Sequence, residues 1–385
     1  MKTYAFLIFL SVVIAIYGLI NFYIYQRAIQ GIPAQNSWRI WFSVIFWLFV
    51  SAYILARFLE KIHPCNFTEI VTWVGSIWLG IMVYTFLAVL LIDFFRLLNH
   101  FFHIFPAVFY TDYQRTKLIA LFISGCIIIL TVTAGFINAR LPGITHLDIR
   151  INKKVTGDKS LKIVMVSDIH MGTLIAKRRT NYLINKIINL KPDVILFAGD
   201  IVDEDLAPVI RRNLGEMLSQ LKAKHGVYGI TGNHEYIGGV EPAVKYLTAH
   251  GIKILRDTAV LVDNYFYLVG RDDKDKPRFT GKKRKTLEEI MSQVDRSYPV
   301  ILMDHQPFKL GKTVEQGVDL QLSGHTHHGQ LWPFNYITNA IYELSWGYRQ
   351  IGQTHFYVSS GFGSWGPPVR LGNRPEIVEI NVMFR

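Results

Sequence analysis

Leu161-Lys162-Ile163-Val164-Met165-Val166-Ser167-Asp168-Ile169-His170 is the stretch on which the reading of this chain turns. The run from Lys162 to Val166 is short, apolar and rich in β-branched residues, as a buried strand should be. It ends on a carboxylate and an imidazole two residues apart. The same punctuation recurs four times further on. Asp193-Val194-Ile195-Leu196-Phe197 runs into Gly199-Asp200-Ile201-Val202-Asp203, and a strand over Val227 to Thr231 runs into Gly232-Asn233-His234-Glu235. Val300-Ile301-Leu302-Met303 leads to Asp304-His305, and Leu320-Gln321-Leu322 to Gly324-His325-Thr326-His327.

Ligands of open α/β sheets bind where strands exit into loops. Here those exits offer Asp168, His170, Asp200, Asn233, His305, His325 and His327 as donors. Carboxylates, an amide oxygen and imidazoles suit Mn²⁺, Fe or Zn²⁺ rather than a thiolate site. Seven donors exceed the needs of one ion. With one carboxylate shared they suit two ions about 3.5–4 Å apart, the arrangement of two-metal phosphoester cleavage. A lone histidine at a strand end is more often a hydrogen-bonded core residue, but five such signals in order are not explained that way.

Outward from these motifs, Arg178 to Lys191 has apolar residues at helical spacing and is ended by Pro192, and Ala207 to Lys224 repeats that character. Strand alternating with helix predicts an α/β domain over residues 161–385. Ala259 to Gly270 reads as a hairpin around Asp263-Asn264, and Thr354 to Val382 holds two more strands. Residues 141–160 read as a linker and first strand region.

The first 140 residues are different in kind. Residues 3–26, 40–56, 70–92 and 118–139 contain no Asp, Glu, Lys or Arg. A bilayer core of roughly 30 Å needs about 20 apolar residues in a helix, so four transmembrane helices are predicted at about 4–25, 39–57, 70–92 and 118–139. The first begins like a signal peptide, but it is too long for one and lacks a small-residue cleavage site. An even number of spans puts both termini on one side. Lys2, Arg57, Lys61, Arg140, Arg150, Lys153 and Lys154 would lie there, against Arg27, Arg39, Arg96, Arg115 and Lys117 opposite, a bias toward a cytoplasmic C-terminal domain. The whole chain, 385 residues with a net charge of +12 and half of it hydrophobic, is too apolar for a disordered or wholly soluble protein. Two cysteines, Cys65 and Cys126, exclude a disulfide framework.

The order D-x-H, G-D-x-x-D, G-N-H-E, H, G-H-x-H resembles the calcineurin-like metallophosphoesterase superfamily. The tail Ser323 to Phe334, with Gly361 to Leu371, looks like its membrane-associated phosphodiesterase branch, which includes transmembrane proteins with a metallophosphoesterase domain. The resemblance covers roughly Lys162 to Val382. It implies a four-layer αββα sandwich behind the four-helix transmembrane region. It implies two divalent or transition metal ions, with Mn²⁺ favoured. Asp168, His170, Asp200 and His327 would hold one; Asp200, Asn233, His305 and His325 would hold the other. His234 would be the acid at the leaving group, and the nucleophile a hydroxide bridging the ions. Gly is common in the family where this chain has His328. That residue reads as a surface group, or else as a polar contact to substrate.

Arg271 and Arg370 lie in loops expected near the site and are candidate partners for a substrate phosphate. Asp203 reads as a hydrogen-bond partner of a ligand, and Asp304 has no evident role. Seven basic residues between Lys274 and Lys285 form either a solvated loop or a patch for anionic headgroups. Trp332, Phe334, Trp346 and Trp365 read first as core, second as a rim facing the bilayer. The expected function is a membrane-anchored hydrolase of a phosphodiester or pyrophosphate, with a lipid-linked substrate favoured by the anchor and membrane lipids as its other partner. A nuclease or a phosphodiesterase of soluble nucleotides is the alternative. Nucleic acid is not favoured, for want of an interleaved aromatic and basic stripe. A non-catalytic scaffold would have lost ligands, and a transporter would carry paired charges at mid-membrane.

Overall fold

The computed structural model describes residues 3–62, 65–156 and 158–385. Lys2, one of the residues in the charge bias, lies outside them. The chain divides into two compact units, Met1–Ile137 with Gly366–Val369, and Asn138–Trp365 with Arg370–Arg385.

The first unit is helical: α1 (Thr3–Ile29), α2 (Trp38–Ile62), α3 (Asn66–Phe102), the short α4 (Val108–Thr111) and α5 (Tyr113–Asn138). Four of these helices are long and apolar enough to cross a bilayer. They pack through polar as well as apolar contacts: Trp78 Nε1 donates to Oδ1 of the buried Asn21 at 3.1 Å, beside Phe46, Val50 and Ile24. α3 overruns its expected end at residue 92 by ten residues. The charges there do not break it, because Asp93 is paired with Arg27 of α1 at 2.8 Å and with Arg96 one turn on at 3.1 Å. It stops at His103, which adopts a left-handed conformation (φ 49°).

The second unit holds two six-stranded sheets. Its strands are β1 (Gly143–Ile151), β2 (Ser160–Val166), β3 (Val194–Phe197), β4 (Val227–Gly229), β5 (Lys253–Ile254), β6 (Thr258–Val262), β7 (Phe266–Gly270), β8 (Val300–Met303), β9 (Leu320–Ser323), β10 (Gly347–Ile351), β11 (Thr354–Val358) and β12 (Glu376–Phe384). One sheet runs β1-β12-β2-β3-β4-β5, the other β10-β11-β9-β8-β7-β6. Side-chain alternation along each strand makes the layers. Ile163, Met165, Val194 and Leu196 face Leu268, Ile301, Met303 and Leu322 of the other sheet in one core. Their neighbours Val164, Val166, Ile195 and Phe197 face outward onto helices α6 (Lys177–Leu190), α7 (Ala207–Arg211), α8 (Leu214–Leu218) and Val240–Ala249. Val269, Val300 and Leu302 likewise meet Leu287, Ile290 and Met291. The outcome is helix, sheet, sheet, helix: the αββα sandwich.

The helix expected over Ala207 to Lys224 is instead two short ones, split where Asn213 turns left-handed (φ 50°). β5 and β10 were not anticipated. The first is two residues long, and the second is a largely exposed edge strand, so neither carries an apolar signature. The hairpin between β6 and β7 is closed by the three residues Asp263 to Tyr265 and turns at Asp263 and Asn264, both with positive φ (48° and 51°).

Candidate metal centre

β2, β3 and β4 are adjacent in one sheet, β8 and β9 in the other, and each delivers its motif at its carboxyl end. The seven expected ligands and His234 converge there. Asp168, His170, Asp200, His234, His305 and His327 are all buried, while Asn233 and His325 are partly exposed. Asp168, His170 and His327 present ligand atoms within 4.8 Å of one another, as do Asp200, His305 and His325. His305 Nε2 lies 3.1 Å from Asp200 Oδ2 and 4.0 Å from Asp168 Oδ1, so the two trios adjoin. Asn233 Oδ1 is 2.8 Å from His325 Nδ1, and His170 Nε2 is 3.1 Å from His327 Nε2.

This donor set fits divalent metal. His305 Nδ1 meets the Ala198 carbonyl at 2.8 Å, while its Nε2 is buried and makes no hydrogen bond although Asp200 Oδ2 stands 3.1 Å away; His170 Nδ1, 3.7 Å from Asp203, is likewise buried and makes none. Such orphans cost of order 1–3 kcal/mol each unless something occupies them. Backbone strain points the same way. Asp168, His170, Asp200, His325 and His327 all have positive φ, between 46° and 72°, and such conformations persist where the surroundings impose them. Two glycines make room: at Gly199 (φ 91°) a Cβ would meet His305 Nδ1 at 2.5 Å, and at Gly232 it would collide with the Asp200 carboxylate.

Charge is concentrated here. Burial alone would raise Asp200, but His305 and His234 hold its carboxyl well below the usual range. Burial pushes Asp168 up. Burial would lower His234, yet Asp200 and Asp203 together raise it to about 9. His325 is pushed down to about 3 by burial and by His305.

Around the donors sits a supporting layer, part of which sequence reasoning missed. Asp203 Oδ1 is 3.1 Å from His234 Nδ1 and 3.7 Å from His170 Nδ1. Glu235, quoted with its motif but given no role, is 1 % exposed and accepts from the backbone N–H groups of Gly232, Asp200 and Val202 at 2.7–3.1 Å. It fastens the β3 and β4 loops together. The signal was its place three residues after Gly232, where a side chain can reach back to the helix start.

The three candidate substrate contacts are engaged elsewhere. Arg370 is fully buried and donates to the carbonyls of Ser360 and Gly363, to Asn373 Oδ1 and to His327 Nδ1 at 3.0 Å. Its guanidinium is spent on these groups, behind the His327 ring. Arg271 Nη1 donates to Asp304 at 2.6 Å, which Arg284 also pairs at 2.9 Å, giving Asp304 its role. His328 is half-buried, with Nδ1 3.2 Å from Ser345 Oγ and its ring 5.0 Å from that of Trp346. Nor are the tryptophans core. Trp332, Trp346 and Trp365 are 52 %, 46 % and 55 % exposed, because they lie in loops beyond the sheets. The Trp365 ring is 6.2 Å from that of His234. In the basic segment, Lys276 is spent on Asp257 and Asp272, and Lys274 sits 3.5 Å over the Phe308 ring.

Comparison with known proteins adds to this geometry. Residues 161–329 match the model of the calcineurin-like phosphoesterase family. The chain is 30% identical over 395 residues to an uncharacterized metallophosphoesterase of Campylobacter jejuni, covering 98% of each. It is 34% identical over 232 residues to an uncharacterized metallophosphoesterase of Helicobacter pylori J99, covering 59% of this chain and 60% of that one. It is 28% identical over 379 residues to a transmembrane protein with metallophosphoesterase domain of Danio rerio, covering 92% and 82%.

Proposed function

The chain belongs to the calcineurin-like metallophosphoesterase family, and on that premise we propose that it is a membrane-anchored, metal-dependent hydrolase of a phosphodiester or pyrophosphate. The observation that carries this is the pair of adjoining trios of donors, in which the buried His305 Nε2 and His170 Nδ1 face carboxylates without making a hydrogen bond. Asp168, His170, Asp200 and His327 would hold one ion, and Asp200, Asn233, His305 and His325 the other, Asp200 being shared. When bound, such ions supply a water acidic enough to attack at neutral pH and neutralise charge on the phosphoryl oxygens.

The chain's own residues do the rest. His234 Nδ1 is held by Asp203, so the proton it can give up is the one on Nε2, and it passes to the departing oxygen as the P–O bond breaks. Asp203, in contact with that imidazole at 3.1 Å, favours its protonated form. Backbone N–H groups hold the carboxylates: His325 donates to Asp168 and His234 to Asp200, each at 2.9 Å. Arg370, through His327, fixes the far side of the site.

The four apolar helices support a four-pass anchor, the excess of Lys and Arg on the side of the termini supports a cytoplasmic catalytic domain, and an anchor is most useful if the substrate is itself in the membrane. A lipid-linked phosphodiester or diphosphate is therefore the substrate class we favour. Detergent-solubilised protein with Mn²⁺ and a total membrane-lipid extract, followed by mass spectrometry with Asp200→Asn as control, tests it. Loss of a phospholipid or lipid diphosphate with intact protein alone is the expected result. Turnover of a soluble aryl phosphodiester with every lipid untouched would overturn the lipid-linked substrate and leave the hydrolase.

A further inference from the structure

The segment joining the ligand loop to β10 contributes nothing to either sheet. From Gly329 to Tyr342 it carries no Asp, Glu, Lys or Arg, and its helix, Asn335–Ile341, has no buried residue. Tyr336, Ile337 and Ile341 on that helix are 65 %, 56 % and 57 % exposed, and exposed tryptophans, Trp332 and Trp346, stand at its two ends. A water-facing helix ordinarily shows a charged face, and contiguous exposed apolar surface marks something that covers it.

The base of the segment is fixed to the metal centre. Thr326 Oγ1 donates to the Ser345 carbonyl at 2.5 Å, Trp332 N to the Leu371 carbonyl at 2.8 Å, and the Trp346 ring lies against His328. The same chain carries four helices suited to a bilayer, and only residues 139–142 separate the end of α5 from the start of β1. A lipid surface is thus permanently attached to this domain.

We propose that Trp332–Tyr342 is an interfacial membrane segment, with Tyr336, Ile337 and Ile341 among the acyl chains and Trp332 and Trp346 at headgroup level. Interfacial helices hold by apolar burial, and tryptophan favours the boundary between headgroup and hydrocarbon. The lack of charge from Gly329 to Tyr342, with Glu343 only beyond it, specifies the partner further: insertion needs no anionic lipid and resists salt. Because the segment starts five residues after His327, insertion holds the ligand loop at the depth where lipid phosphates lie. That last consequence rests on the lipid-linked reading of the substrate; the insertion itself does not.

The test uses the full chain in phosphatidylcholine nanodiscs. Cys65 and Cys126 are replaced by Ser, and an environment-sensitive fluorophore is placed at Ile337→Cys or, as control, at Lys222→Cys, an exposed site preceding β4. Blue-shifted emission at 337, quenched by lipids spin-labelled near the headgroup and unchanged by raised salt, is expected; the control stays water-like and unquenched. Water-like emission at 337 overturns the proposal. So does a blue shift without lipid quenching, which would mean a second copy or another protein covers the helix. If 337 is quenched by lipid but no lipid phosphate is hydrolysed in the extract assay, the docking stands and the lipid-linked substrate falls.

Discussion

At the scale of single residues, the proposed ligands and the groups that orient them should fail differently. Asp200→Asn removes the shared carboxylate, so bound metal and turnover should disappear together, read by elemental analysis and an aryl phosphodiester assay. His234→Ala should keep its metal and lose about 10²–10⁴-fold in turnover; loss of the metal as well would refute the acid role. Arg370→Ala should lower metal affinity about 10–100-fold, because it withdraws the donor that holds His327. Raised KM with normal metal binding would instead restore the substrate contact. The His234 proton gives a pH prediction. In metal-free protein its imidazole should titrate at about 9, seen by NMR of labelled histidine, and Asp203→Asn should bring it down. Since the folded value is raised above that of the unfolded chain, the charged form stabilises the fold fully below the unfolded value. That contribution is lost as pH rises through about 9.

At the scale of elements, the site depends on loops that change direction within two or three residues of a buried strand. β3 ends at Phe197, and by Gly199 the backbone has φ 91° with the His305 ring against it. Gly199→Ala should therefore cost at least about 1–3 kcal/mol in stability from backbone strain alone, and should displace His305. Urea denaturation combined with a metal-binding isotherm checks this, and a variant with unchanged stability and metal would contradict the packing described. The contrast with Gly281, where φ is also positive but nothing lies within 4 Å, separates the two costs: alanine there should show strain without any effect on metal.

For the whole molecule, both sheets contribute proposed ligands, so metal binding would join the two halves of the sandwich. Ions that bind the folded state alone stabilise it by mass action. A chelator should lower the melting temperature of the catalytic unit, and Mn²⁺ should restore it, in a scan that leaves the apolar helices largely helical. The charge bias of the loops predicts that a cysteine at Lys222 is labelled by an impermeant maleimide only after the inner face of the membrane is exposed. Labelling in intact cells would reverse the orientation.

The seven donors, their strand-end positions and the apolar helices were legible in the sequence for a simple reason. Each is encoded locally, in a run of buried residues followed by a fixed motif, or in a charge-free stretch of sufficient length. The resemblance of the motif order to a known family supplied the layered architecture, which local pattern does not contain. What local pattern could not carry was pairing between distant segments. That Arg370 is walled in behind His327, that Asp304 neutralises Arg271 and Arg284, and that Glu235 ties together two loops all depend on side chains brought together from far along the chain. The tryptophans show the same limit: an apolar residue reads as core until the fold shows that no sheet lies over it. Sequence alone determined which groups could bind metal and which helices could enter a bilayer. Tertiary structure alone decided which charges were already spent and which apolar side chains were left uncovered, because both follow from contacts across the chain.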